Sequence, residues 1–293
     1  MTKTAWVFPG QGSQALGMDV DLLTTELGKT RLQQAESILG WSVPQICQSD
    51  EATLSRTLYT QPCLYVISAT LADLLRDQGA VPDVAAGHSL GEYVALYAAG
   101  VIDFESGLRL VKRRAELMDQ ASDGTMVALM GFDRDQLEQQ VQAIDGVVLA
   151  NDNHAGQGVI SGTSEAVTQL LGAIKVKRAV ELNVSGAFHS PLMAEAAASF
   201  QEALDGVSFK MAQLPVLSNV EPTAATDADQ LRERLRRQMT GPVRWREIAL
   251  GLSELGIERV IEVGPGRVLT GLIKRTCPQM TLENISSFAD MVA

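Results

Sequence analysis

Two apolar rhythms alternate along most of this chain. Short unbroken apolar runs mark strands buried on both faces, and longer stretches with apolar residues every three or four positions mark helices with one buried stripe. Thr4-Ala5-Trp6-Val7-Phe8 is the first run, and Pro9-Gly10 closes it before a small polar loop, Gln11-Gly12-Ser13-Gln14. Helical spacing follows at 31–39 and 62–76, with Thr60 near the second cap and Pro62 in its first turn. A second apolar run, Val84-Ala85-Ala86, leads through Gly87-His88-Ser89-Leu90-Gly91 into a stretch with Val94, Leu96, Tyr97 and Ala98. Asp103 then caps a helix over 104–119, whose apolar stripe is Leu108, Val111, Ala115 and Met118. This alternation of strand and helix predicts a parallel sheet covered by helices.

The rhythm changes between Thr125 and Val184. Strands at 126–130, 147–150, 159–160 and 179–184, with helices at 136–143 and 166–174, give the order β-α-β-β-α-β of a ferredoxin-like unit. We expect an inserted small domain over 124–186, bounded by the glycine-bearing loops 122–124 and 185–186, within a larger discontinuous domain of 1–123 and 187–293. After it come helices at 192–204, 231–239 and 245–255, and strands at 216–217 and 259–263. The first and last parts of the chain are thus expected to share one sheet. The last dozen or so residues read as a weakly specified tail.

Composition narrows the function. The 293 residues, 46% of them hydrophobic, suffice for a large core plus a smaller unit. A net charge of −11 argues against nucleic-acid binding. Cys47, Cys63 and Cys277 are odd in number, widely spaced and without metal-ligand spacing, which suits a reduced cytoplasmic protein with no disulfide framework or metal site. No secretory signal or membrane-spanning run is visible.

The chemistry concentrates at Gly87-His88-Ser89-Leu90-Gly91. G-x-S-x-G at a strand-to-helix turn is a nucleophile elbow: glycine is needed on both sides because the turn has no room for side chains, and the strained backbone lifts the serine hydroxyl clear. A chance match is the competing reading in a chain with 25 glycines, and the strand-turn-helix context weighs against it. The serine needs a base. His88 lies on the elbow itself, where neighbouring side chains diverge, and reads as a packing or loop-orienting residue. His154 and His189 both lie in loops at the edges of the insert, and spacing does not choose between them. Arg109, Lys112, Arg113 and Arg114 read on pattern as a solvated face.

Four segments together, Pro9-Gly10-Gln11-Gly12-Ser13-Gln14, Gly87-His88-Ser89-Leu90-Gly91-Glu92-Tyr93, Gly186-Ala187-Phe188-His189-Ser190 and Glu262-Val263-Gly264-Pro265-Gly266, resemble the malonyl-CoA:acyl carrier protein transacylases of fatty acid synthesis. They also resemble the acyltransferase domains of polyketide synthases. The resemblance runs from about residue 4 to residue 275. It implies a hydrolase-like α/β core, mostly parallel, with the ferredoxin-like insert.

For the site it implies Ser89 as nucleophile and His189 as base, with the Gln11 and Leu90 amides as the oxyanion hole and Arg114 gripping the malonyl carboxylate. His88, Asn151, Asn153 and Phe188 would line the substrate cleft. A backbone carbonyl before Trp245, assigned to Arg244, would orient the histidine in place of an acidic third member. Phe188 and Leu90 match the malonyl-selective pattern, with methylmalonyl the minority reading. His154-Ala155 and Arg244 depart from the pattern of the relatives.

The implied substrates are malonyl-CoA and the phosphopantetheine thiol of an acyl carrier protein, in fatty acid or polyketide synthesis. No bound cofactor or metal is implied, and nothing demands more than a monomer. Carrier proteins of this kind are acidic, so a local positive rim is expected, with candidates Lys175, Lys177, Arg178, Arg232, Arg236, Arg237, Arg267, Lys274 and Arg275. A serine esterase or thioesterase, and an idle carrier-docking module, are the rival readings.

Overall fold

The computed structural model describes residues 2–291. The chain opens with β1 (Thr4–Phe8), α1 (Glu26–Leu39), the short α2 (Val43–Cys47) and α3 (Glu51–Leu54), and the long α4 (Thr57–Asp77). β2 (Val84–Gly87), α5 (Gly91–Ala98) and α6 (Phe104–Gln120) follow. The insert is β3 (Thr125–Phe132), α7 (Arg134–Ala143), β4 (Val147–His154), β5 (Gln157–Gly162), α8 (Ser164–Ala173) and β6 (Val176–Glu181). The chain then returns through α9 (Ala194–Asp205), β7 (Val216–Leu217), β8 (Ala224–Ala225) and α10 (Ala228–Gln238). It ends with α11 (Trp245–Glu254), β9 (Arg259–Val263), α12 (Val268–Thr276) and β10 (Thr281–Ile285).

The larger sheet has the order β10-β9-β1-β2-β7-β8, parallel throughout except for the β7–β8 pair. Helices cover both faces, which is why its inner strands β1 and β2 are apolar runs without alternation. Trp6 and Phe8 of β1 enter the core shared with α4, α5 and α6, whereas Ala5 and Val7 face the opposite core of Trp245, Ile248 and Leu252 from α11 with Leu269 and Ile273 from α12. Because β1 and β2 are parallel neighbours, the Gln11 loop and the Ser89 elbow emerge side by side at the carboxyl ends of the strands, where open α/β sheets bind ligands.

The insert forms a separate antiparallel sheet, ordered β4-β5-β3-β6. One face packs under α7 and α8 through Leu129, Leu137, Ile160 and Leu170. The other face, with Met126, Ala128, Ala150 and Val159, belongs to the main core, so the insert is seated on the larger sheet's helices.

The sequence reading lacks α2, α3 and β8, and three further differences concern longer elements. α4 begins at Thr57 and carries Pro62 in its interior, where a single missing N–H is tolerated in a 21-residue buried helix. β6 runs from Val176 to Glu181 where 179–184 was expected, and Leu182 and Val184 beyond it line a cavity. Part of the expected tail is an edge strand: β10 pairs with β9 from Thr281 to Ile285, and Arg259 Nε and Nη2 bind the Glu283 carboxylate at 2.7 and 2.5 Å. Its polar sequence, Thr-Leu-Glu-Asn-Ile, hides the apolar signal. Residues 292 and 293 of that tail lie outside the described residues. Among the described residues no helix is long and apolar enough to cross a membrane, and no group of potential metal ligands gathers.

Candidate active site

β2 ends at Gly87 and α5 starts at Gly91, leaving His88, Ser89 and Leu90 to make the turn. A Cβ on Gly87 would run into the Gly91 carbonyl, and one on Gly91 into the carbonyl of Phe8 at the end of β1. Ser89 is forced to φ 50°, and the one other non-glycine residue with positive φ among the described residues is His189, at 57°. Such conformations cost on the order of 1–3 kcal/mol each and persist only where the surroundings over-determine them. Here the Ser89 N–H donates to Asn219 Oδ1 at 2.7 Å, Asn219 Nδ2 donates to the Gly87 carbonyl at 2.6 Å, and Gln238 Nε2 donates to the Ser89 carbonyl at 2.8 Å.

His189 stands in the loop between β6 and α9, and its Nε2 lies 2.8 Å from Ser89 Oγ. Its Nδ1 lies 3.0 Å from the carbonyl oxygen of Gln238 and 3.1 Å from that of Gly241. Carbonyls only accept, so Nδ1 carries the hydrogen and Nε2 offers its lone pair to the serine hydroxyl. Two carbonyls thereby fix the tautomer without a carboxylate.

Arg114 is buried on the inner stripe of α6, while Arg109 and Arg113 of the same cluster pair outside with Glu105 and Glu116. Asp103 caps that helix, accepting from the Ser106 N–H at 2.7 Å. The Arg114 guanidinium donates to Gln61 Oε1 at 2.5 Å, Ser89 Oγ at 3.0 Å and Gln238 Oε1 at 3.2 Å, and lies 5.4 Å from the Tyr93 ring centroid. Its Nε has no partner among the described residues.

These groups border a cavity of about 90 Å³, lined also by Gln11, Leu90, Met118, Asn151 and Phe188. That is small beside the ~300–1,000 Å³ of a ligand cleft and restricts the part bound there to a few heavy atoms. Neither the Gln11 nor the Leu90 N–H has a hydrogen-bond partner among the described residues, and both residues line the cavity with Ser89. Such donors suit a developing oxyanion. Gln11 is held from its side chain, Nε2 donating to Thr57 Oγ1 at 3.1 Å. The C-terminal Gly-Pro-Gly motif supports this loop: Gly264 packs on Pro9 and Gly266 on Ser13, while Glu262 accepts from the Leu269 and Thr270 N–H groups at 3.0 and 2.8 Å and so caps α12.

Burial, with the positive charge of Arg114 second, pushes the His189 imidazole down to about 3, so it is a neutral acceptor at pH 7. Burial also lowers His88 and Arg114 and raises Glu92. Glu92 Oε2 accepts from Gln238 Nε2 at 2.8 Å and from the Asn219 N–H at 3.1 Å, so this buried carboxylate binds the two residues that clamp the elbow.

Of the residues expected at the site, Ser89, His189, Arg114, Gln11, Leu90, Phe188, Asn151 and His88 converge on the cavity. Asn153 does not line it: its Oδ1 lies 2.9 Å from His88 Nε2, and it braces His88, whose ring packs 5.6 Å from Trp245. Arg244 does not orient the histidine. As the residue before α11, it spends its carbonyl on the Ile248 N–H at 3.0 Å, and the carbonyls of Gln238 and Gly241 take the role instead. His154 turns onto its own hairpin, its Nδ1 accepting from the Gly156 N–H at 3.0 Å. Within the expected positive rim, Arg236 is paired with Asp205 and Glu233, and Arg237 with Glu221. Sequence reading missed Gln61, Asn219 and Gln238. Asn219 alone gave a cue, standing just beyond a predicted strand's carboxyl end.

The acyl transferase domain family matches residues 5–291. A malonyl CoA-acyl carrier protein transacylase from Synechocystis sp. is 59% identical, over 99% of this chain and 99% of its own. The crystal structure of a Synechocystis sp. malonyl-CoA:ACP transacylase, 59% identical, superposes with a TM-score of 0.97 over 99% of each chain. A structure of a type II PKS acyl-carrier protein in complex with its malonyl-transacylase matches at a TM-score of 0.94 and 37% identity, over 99% of this chain and 98% of that one. With sequence and fold matched over nearly its whole length, the chain belongs to the acyl transferase domain family, among the malonyl CoA-acyl carrier protein transacylases.

Proposed function

We propose that this protein transfers a malonyl group from malonyl-CoA to the phosphopantetheine thiol of an acyl carrier protein through a malonyl ester on Ser89. The observation that carries this reading is the Ser89 hydroxyl held between a neutral histidine nitrogen at 2.8 Å and a buried guanidinium at 3.0 Å. His189 Nε2 takes the serine proton as Oγ attacks the thioester carbon, and the oxyanion rests on the Gln11 and Leu90 amides. Collapse of the tetrahedral intermediate expels the coenzyme A thiolate, which takes the proton from His189. The carrier thiol then attacks the ester, with His189 accepting its proton and returning it to Ser89 Oγ.

Arg114 binds the free carboxylate of the malonyl group, and a guanidinium suits that task because it offers parallel donors in a plane. Phe188 and Leu90 crowd the carbon between the two carbonyls, favouring malonyl over methylmalonyl. Every step uses side chains, backbone amides and the two substrates. We also propose that residues 124–186 are an inserted domain within 1–123 and 187–293. Residence in the cytoplasm belongs to the same reading, since Cys47, Cys63 and Cys277 are all free and buried.

Intact-mass measurement after mixing with malonyl-CoA tests the reading. A malonyl adduct is expected on the wild type and none on Ser89→Ala, and holo acyl carrier protein should remove it with malonyl appearing on the carrier. Adduct loss to water at the same rate with and without carrier would make the protein a thioesterase, and a wild type that forms no adduct would refute acyl transfer.

A further inference from the structure

Asp152 of β4 is a buried carboxylate that the chemistry above does not use. Only 6% of it is exposed, and it is shared between two cations. Arg134 of α7, inside the insert, grips it with two bonds, Nη1 to Oδ1 at 3.1 Å and Nη2 to Oδ2 at 2.6 Å. Arg246 of α11, in the main body, donates from Nε to the same Oδ2 at 3.0 Å. The backbone reinforces the crossing. The Asp152 N–H donates to the Val243 carbonyl at 2.9 Å, and the Val243 N–H donates to the Ala150 carbonyl at 2.7 Å, so β4 gains a short parallel bridge to the segment before α11.

What lies beside this crossing gives it a consequence. Val243 is two residues from Gly241, whose carbonyl holds His189 Nδ1, and two residues from Trp245, against which His88 packs. On the other strand, the residue after Asp152 is Asn153, whose Oδ1 meets His88 Nε2. The ion pair between residues 152 and 246 therefore runs alongside the contact that passes from Asn153 through His88 to Trp245, and His88 adjoins the nucleophile. The insert and α11 close on the elbow from two sides, and Asp152 is the charged group that joins them.

We propose that Asp152 is a positioning residue: its bond to Arg246 latches the insert to the segment that orients His189, and this latch sets the rate at which Ser89 is acylated. The proposal rests on the acyl-transfer reading of the site. The two arms of the carboxylate are not equivalent. Arg134 has a second partner, Glu138, at 2.9 Å and stays within the insert, whereas among the described residues Arg246 has no ion-pair partner but Asp152 and belongs to the main body. Replacing the carboxylate by an amide leaves two guanidinium groups facing each other across the crossing, with like charges and no anion between them.

Four variants test this: Asp152→Asn, which preserves shape, Arg246→Gln, Arg246→Lys and Arg134→Gln. Acylation by malonyl-CoA is followed in single turnovers by quenched mass spectrometry, with steady-state transfer to holo acyl carrier protein beside it. Misplacing a group of a preorganised site by about 1 Å costs about two decades in rate, and a smaller displacement about one. The expected result is acylation slowed about tenfold by Asp152→Asn and Arg246→Gln with KM for malonyl-CoA changed less than about twofold. Arg246→Lys should recover most of the rate, and Arg134→Gln should stay within about twofold of wild type.

Amide hydrogen exchange of the segments 150–153 and 241–246 should be faster in the two slow variants. Wild-type acylation rates in Asp152→Asn and Arg246→Gln overturn the latch. So does a rise in KM with the acylation rate constant unchanged, or an Arg134→Gln variant as slow as Arg246→Gln. A wild type that forms no malonyl adduct overturns the functional reading instead, and unchanged exchange in the variants then overturns the latch by itself.

Discussion

Replacing Arg114 by alanine should remove the preference for malonyl over acetyl. In the folded protein the guanidinium is buried and its Nε has no partner among the described residues, while Nη1 donates to Gln61 at 2.5 Å and Nη2 to Gln238 and Ser89 at 3.2 and 3.0 Å. A malonyl carboxylate brings the anion this buried cation lacks, and an acetyl methyl brings nothing. Breaking a buried ion pair by removing one partner costs about 3–5 kcal/mol, which at 1.36 kcal/mol per decade is a loss of about two to three and a half decades in kcat/KM for malonyl-CoA. The variant also loses the contact to Ser89 Oγ, but that loss falls equally on both substrates and cancels in their ratio. The quantity to measure is therefore the ratio of kcat/KM for malonyl-CoA to that for acetyl-CoA, with holo acyl carrier protein as acceptor. It should fall by at least about a hundredfold, and Arg114→Lys should lie between, retaining charge without the planar fork. If both substrates slow equally and the ratio stays put, Arg114 supports the nucleophile and does not select the acyl group.

Four further outcomes are expected. His189 is held at about 3, below its ordinary 6.5, so the neutral base is fully present above that range and single-turnover acylation should be flat from pH 8 to about pH 5; half-loss near 6.5 would mean a solvated histidine. The same depression gives a stability contribution present above pH 6.5 and lost as pH falls toward 3, because the unfolded chain takes up that proton first. Ser89→Gly relieves the φ of 50° and should be a few degrees higher in Tm, about 1 kcal/mol, than Ser89→Ala, which loses the same hydroxyl contacts, while both abolish adduct formation; a Ser89→Gly no more stable than Ser89→Ala would show that the elbow is unstrained. Asn219→Ala leaves the Ser89 N–H and the Gly87 carbonyl without partners and should lose about 2–4 kcal/mol in urea unfolding, together with acylation; a loss below about 0.5 kcal/mol would show that water replaces the amide.

The parts of this site legible in the sequence are those with local causes. Gly87 and Gly91 are required by a turn whose tightness is written in the motif, and β1 and β2 announce themselves because strands covered on both faces carry unbroken apolar runs. The choice of His189 over His154 needed the resemblance, since both read in sequence as loop residues beside the insert, and only the folded chain shows that His154 ends β4 while His189 reaches Ser89. Arg114 looked like its exposed neighbours because the register of α6 with the core, not the local pattern, decides which arginine turns inward. Gln61, Asn219 and Gln238 left almost no trace. An amide buried for its hydrogen bonds is indistinguishable in sequence from one on a surface, and its value appears only when its partners are known. The edge strand β10 was read as tail for a related reason: three of its five positions are polar, and parallel pairing with β9 is what makes it a strand.

Gln238 shows why the site needs so many uncharged polar groups. Its backbone carbonyl accepts from His189 at 3.0 Å, its Nε2 donates to the Ser89 carbonyl and to Glu92 at 2.8 Å each, and its Oε1 accepts from Arg114 at 3.2 Å. One residue thus touches the nucleophile's backbone, the base and the cation, and it does so from the last turn of a helix, where position is set by packing. A carboxylate there would hold Arg114 more tightly and leave it no charge to offer a substrate. An amide satisfies the same donors at a fraction of the electrostatic strength. The buried cation stays fixed in place and incompletely neutralised until a malonyl carboxylate arrives, and this is the condition under which binding that carboxylate selects the acyl group that Ser89 receives.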